Sequence, residues 1–313
     1  MPAAEFDLIE RFFANRKAFR SETELGVGDD CALLNVPPGY RLAISTDTMV
    51  ENVHFFAGTE PLDLGYKLLA VNLSDLAAMG AEPIAATLAM TLPSADEAWL
   101  DRFATGFFEL ARCYRVDLIG GDTTSGPLTL TVQVFGLVPN ESPLLRSGAR
   151  AGDGIYVTGQ LGDAGLGLKI VQGYRGSYDD SALKRFNRPL PRVEQARALR
   201  GIANSCIDVS DGLAQDLSHI LRQSGVGACL DWQALPLSDA VREYIETTGD
   251  WLLPLAAGDD YELCFTVPAD KESLLDGHEF TRIGIVESLP GTRINRFGIT
   301  ESLKVHGFEH FSH

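Results

Sequence analysis

The sequence predicts an α/β or α+β protein of two domains, and three observations carry that prediction. Apolar runs of strand length alternate with stretches of helical period. A stretch rich in Pro, Gly and charge, "PNESPLLRSGARAGDG" (139–154), interrupts the pattern near its middle. Each half separately contains an apolar strand that runs out among acids. The chain's 313 residues suffice for one large domain or two ordinary ones, and the boundary is placed between domains 1–146 and 147–313.

In order, residues 5–19 read as an amphipathic helix through Phe6, Ile9, Phe12 and Phe13. "ELGVGDDCALL" (24–34) is a Gly/Asp loop entering a short strand, and 41–46 is a strand. Residues 62–79 place Leu64, Leu68, Val71 and Leu76 near helical spacing. "IAATLAMTL" (84–92) is a strand, and 95–115 is a second long helix with Ser94 as its N-cap. "RVDLI" is a strand, and "LTLTVQVFGLV" (128–138) alternates like a half-buried one. Beyond the boundary, "IYVTG", "SCIDVS", "YELCFTV" and "TRIGIVE" read as strands. "LGDAGLGLKIVQG", "VEQARALRGIA" and "GLAQDLSHILRQS" read as helices.

Composition narrows the function. Hydrophobic residues make up 45% and charged residues 22%, as in ordinary globular proteins. No apolar run reaches the roughly 18–20 residues that cross a bilayer, and the charged start does not read as a signal peptide. Five scattered cysteines without C-x-x-C suit a reducing compartment, so the expected location is cytoplasmic. A net charge of −17, from 26 basic and 43 acidic residues, argues against nucleic acid and against an anionic membrane surface. Solubility accounts for most of that acidity, but not for acids at the ends of apolar strands.

Those acids are Asp29 and Asp30 in "GVGDD", Asp47 in "STDT", Asp75 in "NLSD", Asp122 in "GGDTT", and Asp208 and Asp211 in "DVSDG". Any one of them reads first as a helix cap or Asx turn. Together, flanked by Gly, Ser and Thr, they read as ligands for a hard divalent cation such as magnesium, which bridges carboxylates to phosphates. Asn72 and Asp75 share a helix face off the apolar stripe. "TGQLGDAGLG" (158–167) reads either as a phosphate site at a helix start or as close helix–strand packing. Arg146 reads as a phosphate ligand or a surface ion pair. There is no Walker loop, protein-kinase motif set, calcium loop or nucleophile elbow.

Together, "ISTDTMVENVHF", "AVNLSDLAAMGAEP", "LIGGDTTSGPL", "RSGARAGDGIYVTGQLGDAGLGL", "IDVSDGLAQDLSHI", "AGDDYELCFTVP" and "HGFEHF" resemble, nearly end to end, the thiamine-monophosphate kinases of the aminoimidazole ribonucleotide synthetase superfamily. The resemblance implies a two-domain fold in which the N-terminal strands close a β-barrel with a twin subunit and the C-terminal domain packs over the nucleotide. It implies γ-phosphoryl transfer from ATP to thiamine monophosphate, directly and with several Mg²⁺ ions. The implied metal ligands are Asp30, Ser45, Thr46, Asp47, Asp75, Asp122, Asp208 and Asp211, with Asp47, Asp122 and Asp211 central to catalysis. Gly121, Asp122, Arg146 and Ser210 would contact ATP, and His54, Asp259 and Phe308 the thiamine phosphate. Relatives often carry Glu in place of Asp259, and Trp or Tyr in place of Phe308. The rival readings are another ATP-dependent enzyme of the superfamily and a non-catalytic magnesium–nucleotide binder.

Overall fold

The computed structural model describes residues 8–14, 17–176, 180–304 and 307. The chain divides into two compact units, residues 1–76 with 81–141 and residues 77–80 with 142–313. The passage at Glu141 and Ser142 falls inside the Pro- and Gly-rich stretch.

In the first unit a π-helical turn, Glu10–Ala14, buries Phe12 and Phe13. A short antiparallel pair follows, β1 (Thr23–Leu25) with β2 (Leu33–Leu34). Next come β3 (Tyr40–Val50), α1 (Pro61–Ala78), β4 (Glu82–Leu92), α2 (Glu97–Tyr114), β5 (Asp117–Ser125) and β6 (Thr129–Pro139). The last four strands form a mixed sheet in the order β3-β6-β4-β5, with only β4 and β5 parallel. Alternation along β6 buries Leu130, Val132 and Val134, while Thr131, Gln133 and Phe135 stay partly exposed. Register extends this row by row: Val132 faces Asp47 on β3 and Leu88 on β4, and Gln133 faces Thr46 and Thr87. Helices α1 and α2 meet backbone to backbone. A Cβ on Gly65 would lie 2.1 Å from the Phe103 carbonyl oxygen, and one on Gly106 1.8 Å from that of Leu62, so only glycine allows the approach.

Four expectations are corrected in this unit. Strand β3 does not stop at 46 but pairs with β6 through Val50, and β5 continues through "GGDTTS" to Ser125. The β-branched threonines keep the extended backbone going where Ser, Thr, Asp and Gly had read as a turn. Asp47 and Asp122 therefore lie within paired strands. The N-cap of α2 is Asp96, which accepts the N–H groups of Ala98 and Trp99, rather than Ser94. Asn72 is fully buried, and from Leu64 to Ala78 only Asp75 escapes burial.

The second unit holds β7 (Gly154–Thr158), α3 (Asp163–Val171), α4 (Ser181–Asn187), α5 (Val193–Leu199), β8 (Ser205–Asp208), α6 (Leu213–Ser224), β9 (Gly227–Asp231), α7 (Asp239–Thr248), α8 (Leu253–Ala256), β10 (Leu263–Val267), β11 (Phe280–Glu287), β12 (Gly291–Arg296) and β13 (Ile299–Ser302). Its sheet runs β13-β12-β9-β11-β7-β10-β8, antiparallel except between β12 and β9. Ile155, Val157, Leu217, Ile220, Leu230 and Ile283 belong to its core. Among the described residues, no helix is long and apolar enough to cross a membrane.

Candidate active site

In the first unit, strand alternation sends Ser45 and Asp47 to one face of β3 and Thr46 and Thr48 to the other. Helix α1 covers the first face. Ser45 Oγ donates to Asp75 Oδ2 at 2.5 Å. Among the described residues β3 is an edge strand, and none of them forms a strand outside it to take the outward N–H of Asp47. Asn72 Oδ1 accepts that N–H at 3.0 Å, while Asn72 Nδ2 donates to the Leu68 carbonyl at 2.9 Å. A buried amide thus ties the Asp47 backbone to α1, and Asp75 is the helix's one partly exposed side chain at that level. Across the sheet, Thr46 Oγ1 accepts from Gln133 Nε2 at 3.1 Å, and Thr48 pairs with Thr131 at 2.9 Å.

The other predicted residues of this unit are placed by local structure. His54 Nδ1 accepts the Val50 N–H at 3.0 Å, closing the turn after β3 and leaving the neutral ring's proton on Nε2. Asp122 is exposed and in register with Ala89; Gly121 stands beside Leu88, where a Cβ would lie 1.8 Å from the Leu88 oxygen. Asp30 is exposed, and its N–H donates to Asp29 Oδ1. The loop's entrance is anchored by buried Asp117, which accepts from Phe19 N, Arg20 N and Thr23 Oγ1.

In the second unit Asp208 ends β8, buried, in register with Leu263. The following loop carries Ser210 and Asp211, and its N–H groups at 210, 211 and 212 all donate to Asp216 Oδ2. Burial pushes the Asp216 carboxyl up to about 7, against the N–H donors that lower it. The segment "GDDYE" braces the same loop: Asp259 N donates to Ser210 O at 2.9 Å and Tyr261 N to Val209 O at 2.8 Å. Asp259 and Tyr261 both adopt positive φ, 68° and 50°, and Tyr261 Oη donates to Asp259 Oδ1 at 3.1 Å. Glu262 is wholly buried and accepts from Thr158 Oγ1, Arg185 Nη2 and both Nε and Nη2 of Arg192.

Arg146 is exposed in this unit. It lies within Coulomb range of His219, whose imidazole is pushed down by burial first, then by Arg222 and Arg146, and pulled up by Asp211. Gly307 N donates to Gln215 Oε1 at 2.7 Å, close to the Asp211 carbonyl. The next residue, Phe308, lies outside the described residues.

The glycine-rich start of α3 is filled from within. Asp260 Oδ2 accepts the Gly162 N–H at 2.7 Å and Oδ1 that of Ala164 at 3.2 Å. Gly165 and Gly167 pack against Ala257 and the Ala182 carbonyl, so the stretch is a packing device and its helix start is taken by the Asp260 side chain. Burial pushes the Asp260 carboxyl up to about 8. The folded protein then holds this proton from about pH 4 to 8, where the unfolded chain releases it. The group's contribution to stability is complete below the ordinary carboxylate range and is lost as pH rises through 8. Wild-type protein should thus lose melting temperature more steeply between pH 5 and 8 than Asp260→Asn does; parallel calorimetric curves would contradict this.

Sequence reasoning did not single out Asp216, Asp260 or Glu262. One signal was present: Asp216 lies on the Leu213, Leu217, Ile220 stripe of α6, and an acid on an apolar stripe needs internal donors. Among the described residues, no three His, Cys, Asp or Glu side chains converge as a ready-made metal cage. Magnesium fits the donor set nonetheless. The donors are hard carboxylate and hydroxyl oxygens, and an ion that keeps waters and takes phosphate oxygens needs only one or two protein carboxylates.

Residues 28–138 match the AIR synthase related protein N-terminal domain, and residues 150–295 its C-terminal domain. The thiamine-monophosphate kinase of Escherichia coli (strain K12) is 49% identical over 323 residues, covering 100% of this chain and 99% of that protein. The crystal structure of thiamine-monophosphate kinase from Stenotrophomonas maltophilia K279a superposes with a TM-score of 0.82 at 43% identity, covering 88% of this chain and 92% of that one. A structure of AaThiL complexed with AMPPCP and TMP gives a TM-score of 0.80 at 29% identity, with 88% and 89% covered.

Proposed function

The chain belongs to the thiamine-monophosphate kinases, and on that premise we propose how its residues carry out the reaction. The protein phosphorylates thiamine monophosphate to thiamine diphosphate with ATP. The reaction brings two anions together: ATP carries about four negative charges, and a phosphate monoester adds about −1.5 to −2. Two unit charges ~4 Å apart repel by about 4 kcal/mol at an effective dielectric of 20. Carboxylates that hold magnesium would place positive charge against these anions, which is the chemistry the ion supplies when bound.

In this proposal Asp47, Asp75 and Ser45, joined through α1 and β3, hold metal on one face of the first unit's sheet. Asp30 and Asp122 supply further oxygens, Asp122 with Gly121 also meeting ATP; Thr46, expected in this set, has its hydroxyl on the opposite face with Gln133 and stands apart from it. In the second unit Asp208 and Asp211 take the same role, and Ser210 and Arg146 meet the nucleotide. His54, Asp259 and Phe308 hold the thiamine phosphate, with Asp259 offsetting the cationic thiazolium. The acceptor is already an ionised phosphate oxygen, so transfer runs directly and in line without a strong general base. The single observation that carries the reading is the Ser45–Asp75 contact, which sets a hydroxyl of β3 against a carboxylate of α1, two oxygen ligands of the kind a hard dication takes. Incubation with ATP, Mg²⁺ and thiamine monophosphate should yield thiamine diphosphate and ADP in equal amounts. ADP without thiamine diphosphate would overturn the reading.

We further propose a cytoplasmic homodimer closed through the first unit's sheet. Ile44 is 55% exposed and Tyr40 43% on β3, and Ile44 stands in register with Phe135. Exposed apolar rows of this kind are normally covered. Ile44→Asp should weaken the dimer at least tenfold by sedimentation equilibrium; an unchanged dimer would remove this face from the interface.

A further inference from the structure

Asp216 sits in the first turn of α6, nearly fully buried, and one of its oxygens, Oδ2, takes three successive backbone donors: Ser210 N at 3.0 Å, Asp211 N at 3.0 Å and Gly212 N at 3.2 Å. Three converging N–H groups ahead of a helix form a concave arrangement that attracts a phosphate or other anion. Here a carboxyl oxygen of the chain itself takes that place. On its other side the loop's carbonyls at 209 and 210 accept from Tyr261 and Asp259, and Val209 N donates to Glu262 O at 2.7 Å. The loop's backbone is thus engaged from both sides, while the Asp211 carboxylate accepts only a long contact from Gln215 Nε2 at 3.5 Å among the hydrogen bonds described.

We propose that Asp216 is a positioning residue. By filling the amide nest with a carboxylate, it fixes the direction of Asp211 and Ser210, so that the loop offers a carboxylate to a cation instead of amides to an anion. The role rests on the reading of Asp211 as a metal ligand and Ser210 as an ATP contact. It differs from simple helix capping because the three amides belong to the loop that carries those two residues, and because a shared acceptor holds all three in one orientation. Removal of the acceptor leaves three N–H groups to be resatisfied, and the loop must turn to do so.

The test compares wild type, Asp216→Ala, Asp216→Asn and Asp216→Glu by Mn²⁺ titration, followed by electron paramagnetic resonance, with AMPPCP bound. Magnesium dependence of the rate is measured alongside. Asp216→Ala should bind Mn²⁺ at least tenfold more weakly and need at least tenfold more Mg²⁺ for half-maximal rate, with KM for thiamine monophosphate within twofold of wild type. Asp216→Asn keeps an oxygen for the N–H groups and should return Mn²⁺ affinity to within threefold. Wild-type Mn²⁺ affinity in Asp216→Ala would overturn the proposal, as would an Asn variant as defective as Ala at unchanged melting temperature. If Asp216→Ala fails to fold, Asp216→Glu decides, since it keeps the charge and displaces the oxygen: a loss of more than threefold supports positioning, and wild-type affinity refutes it. A wild-type protein that makes no thiamine diphosphate sinks the kinase reading by itself. An active wild type with an unaffected Ala variant sinks only the role of Asp216.

Discussion

Asp47→Asn is expected to lower kcat about a thousandfold while the protein folds and melts as before. The amide occupies the same volume, and the backbone N–H at 47 keeps its bond to Asn72 Oδ1, so the tie between β3 and α1 survives. What is lost is a negative charge at a position proposed to hold magnesium against two anionic substrates. A metal's contribution to transition-state charge stabilisation is several kcal/mol, and each 1.36 kcal/mol is tenfold in rate, which sets the size of the effect. Excess Mg²⁺ should restore little of it, because the amide oxygen can still approach a dication but no longer brings the negative charge that a carboxylate adds to the attraction. Activity within tenfold of wild type would take Asp47 out of the metal set.

Glu262→Gln is expected to cost stability more than any surface change, on the order of 3–5 kcal/mol. Glu262 is wholly buried between Arg185 and Arg192, each of whose side chains is only 18% exposed. The substitution keeps size but leaves two guanidinium groups facing a neutral amide, and an uncompensated buried charge is what makes breaking such a cluster expensive. Thr158 also loses a charged acceptor, although its own Oγ1 still receives the Leu263 N–H. A calorimetric melting temperature lower by on the order of 5–10 °C should follow. Because Glu262 ends the segment that bears Asp259, KM for thiamine monophosphate should rise as well. A variant melting within 1 °C of wild type, roughly what a few tenths of a kcal/mol produce, would mean that the cluster contributes nothing net.

Strong periodicity made much of the fold readable. The alternation of "LTLTVQVFGLV" marks β6, a strand flanked on both sides by β3 and β4, and the apolar period of 62–79 marks α1 within a residue of each end. The elements α4, α7, α8, β9, β12 and β13 are not among the sequence readings, and length alone does not separate them, since α5 is as short as α4 and is read. Strands β3 and β5 were cut short because small polar residues look the same in a turn and in a paired strand; only the partner β6 or β4 tells them apart. The same limit applies to the site. Oxygen-rich ends of apolar runs pointed to Asp47, Asp75 and Asp122, since those residues have no reason to be there for packing. Asp216, Asp260 and Glu262 act through backbone amides and arginines brought near by folding, and a sequence does not display which amides an acid will meet.

The central claim is that acids of this chain hold dications for anionic reactants. Anomalous diffraction from crystals grown with Mn²⁺, AMPPCP and thiamine monophosphate tests it most directly, because manganese accepts the same oxygen ligands as magnesium and announces its position. The account predicts anomalous peaks at ligating distance from the carboxylates of Asp47, Asp75, Asp122 and Asp211. Nucleotide bound in full with no manganese at any of these four carboxylates would contradict it.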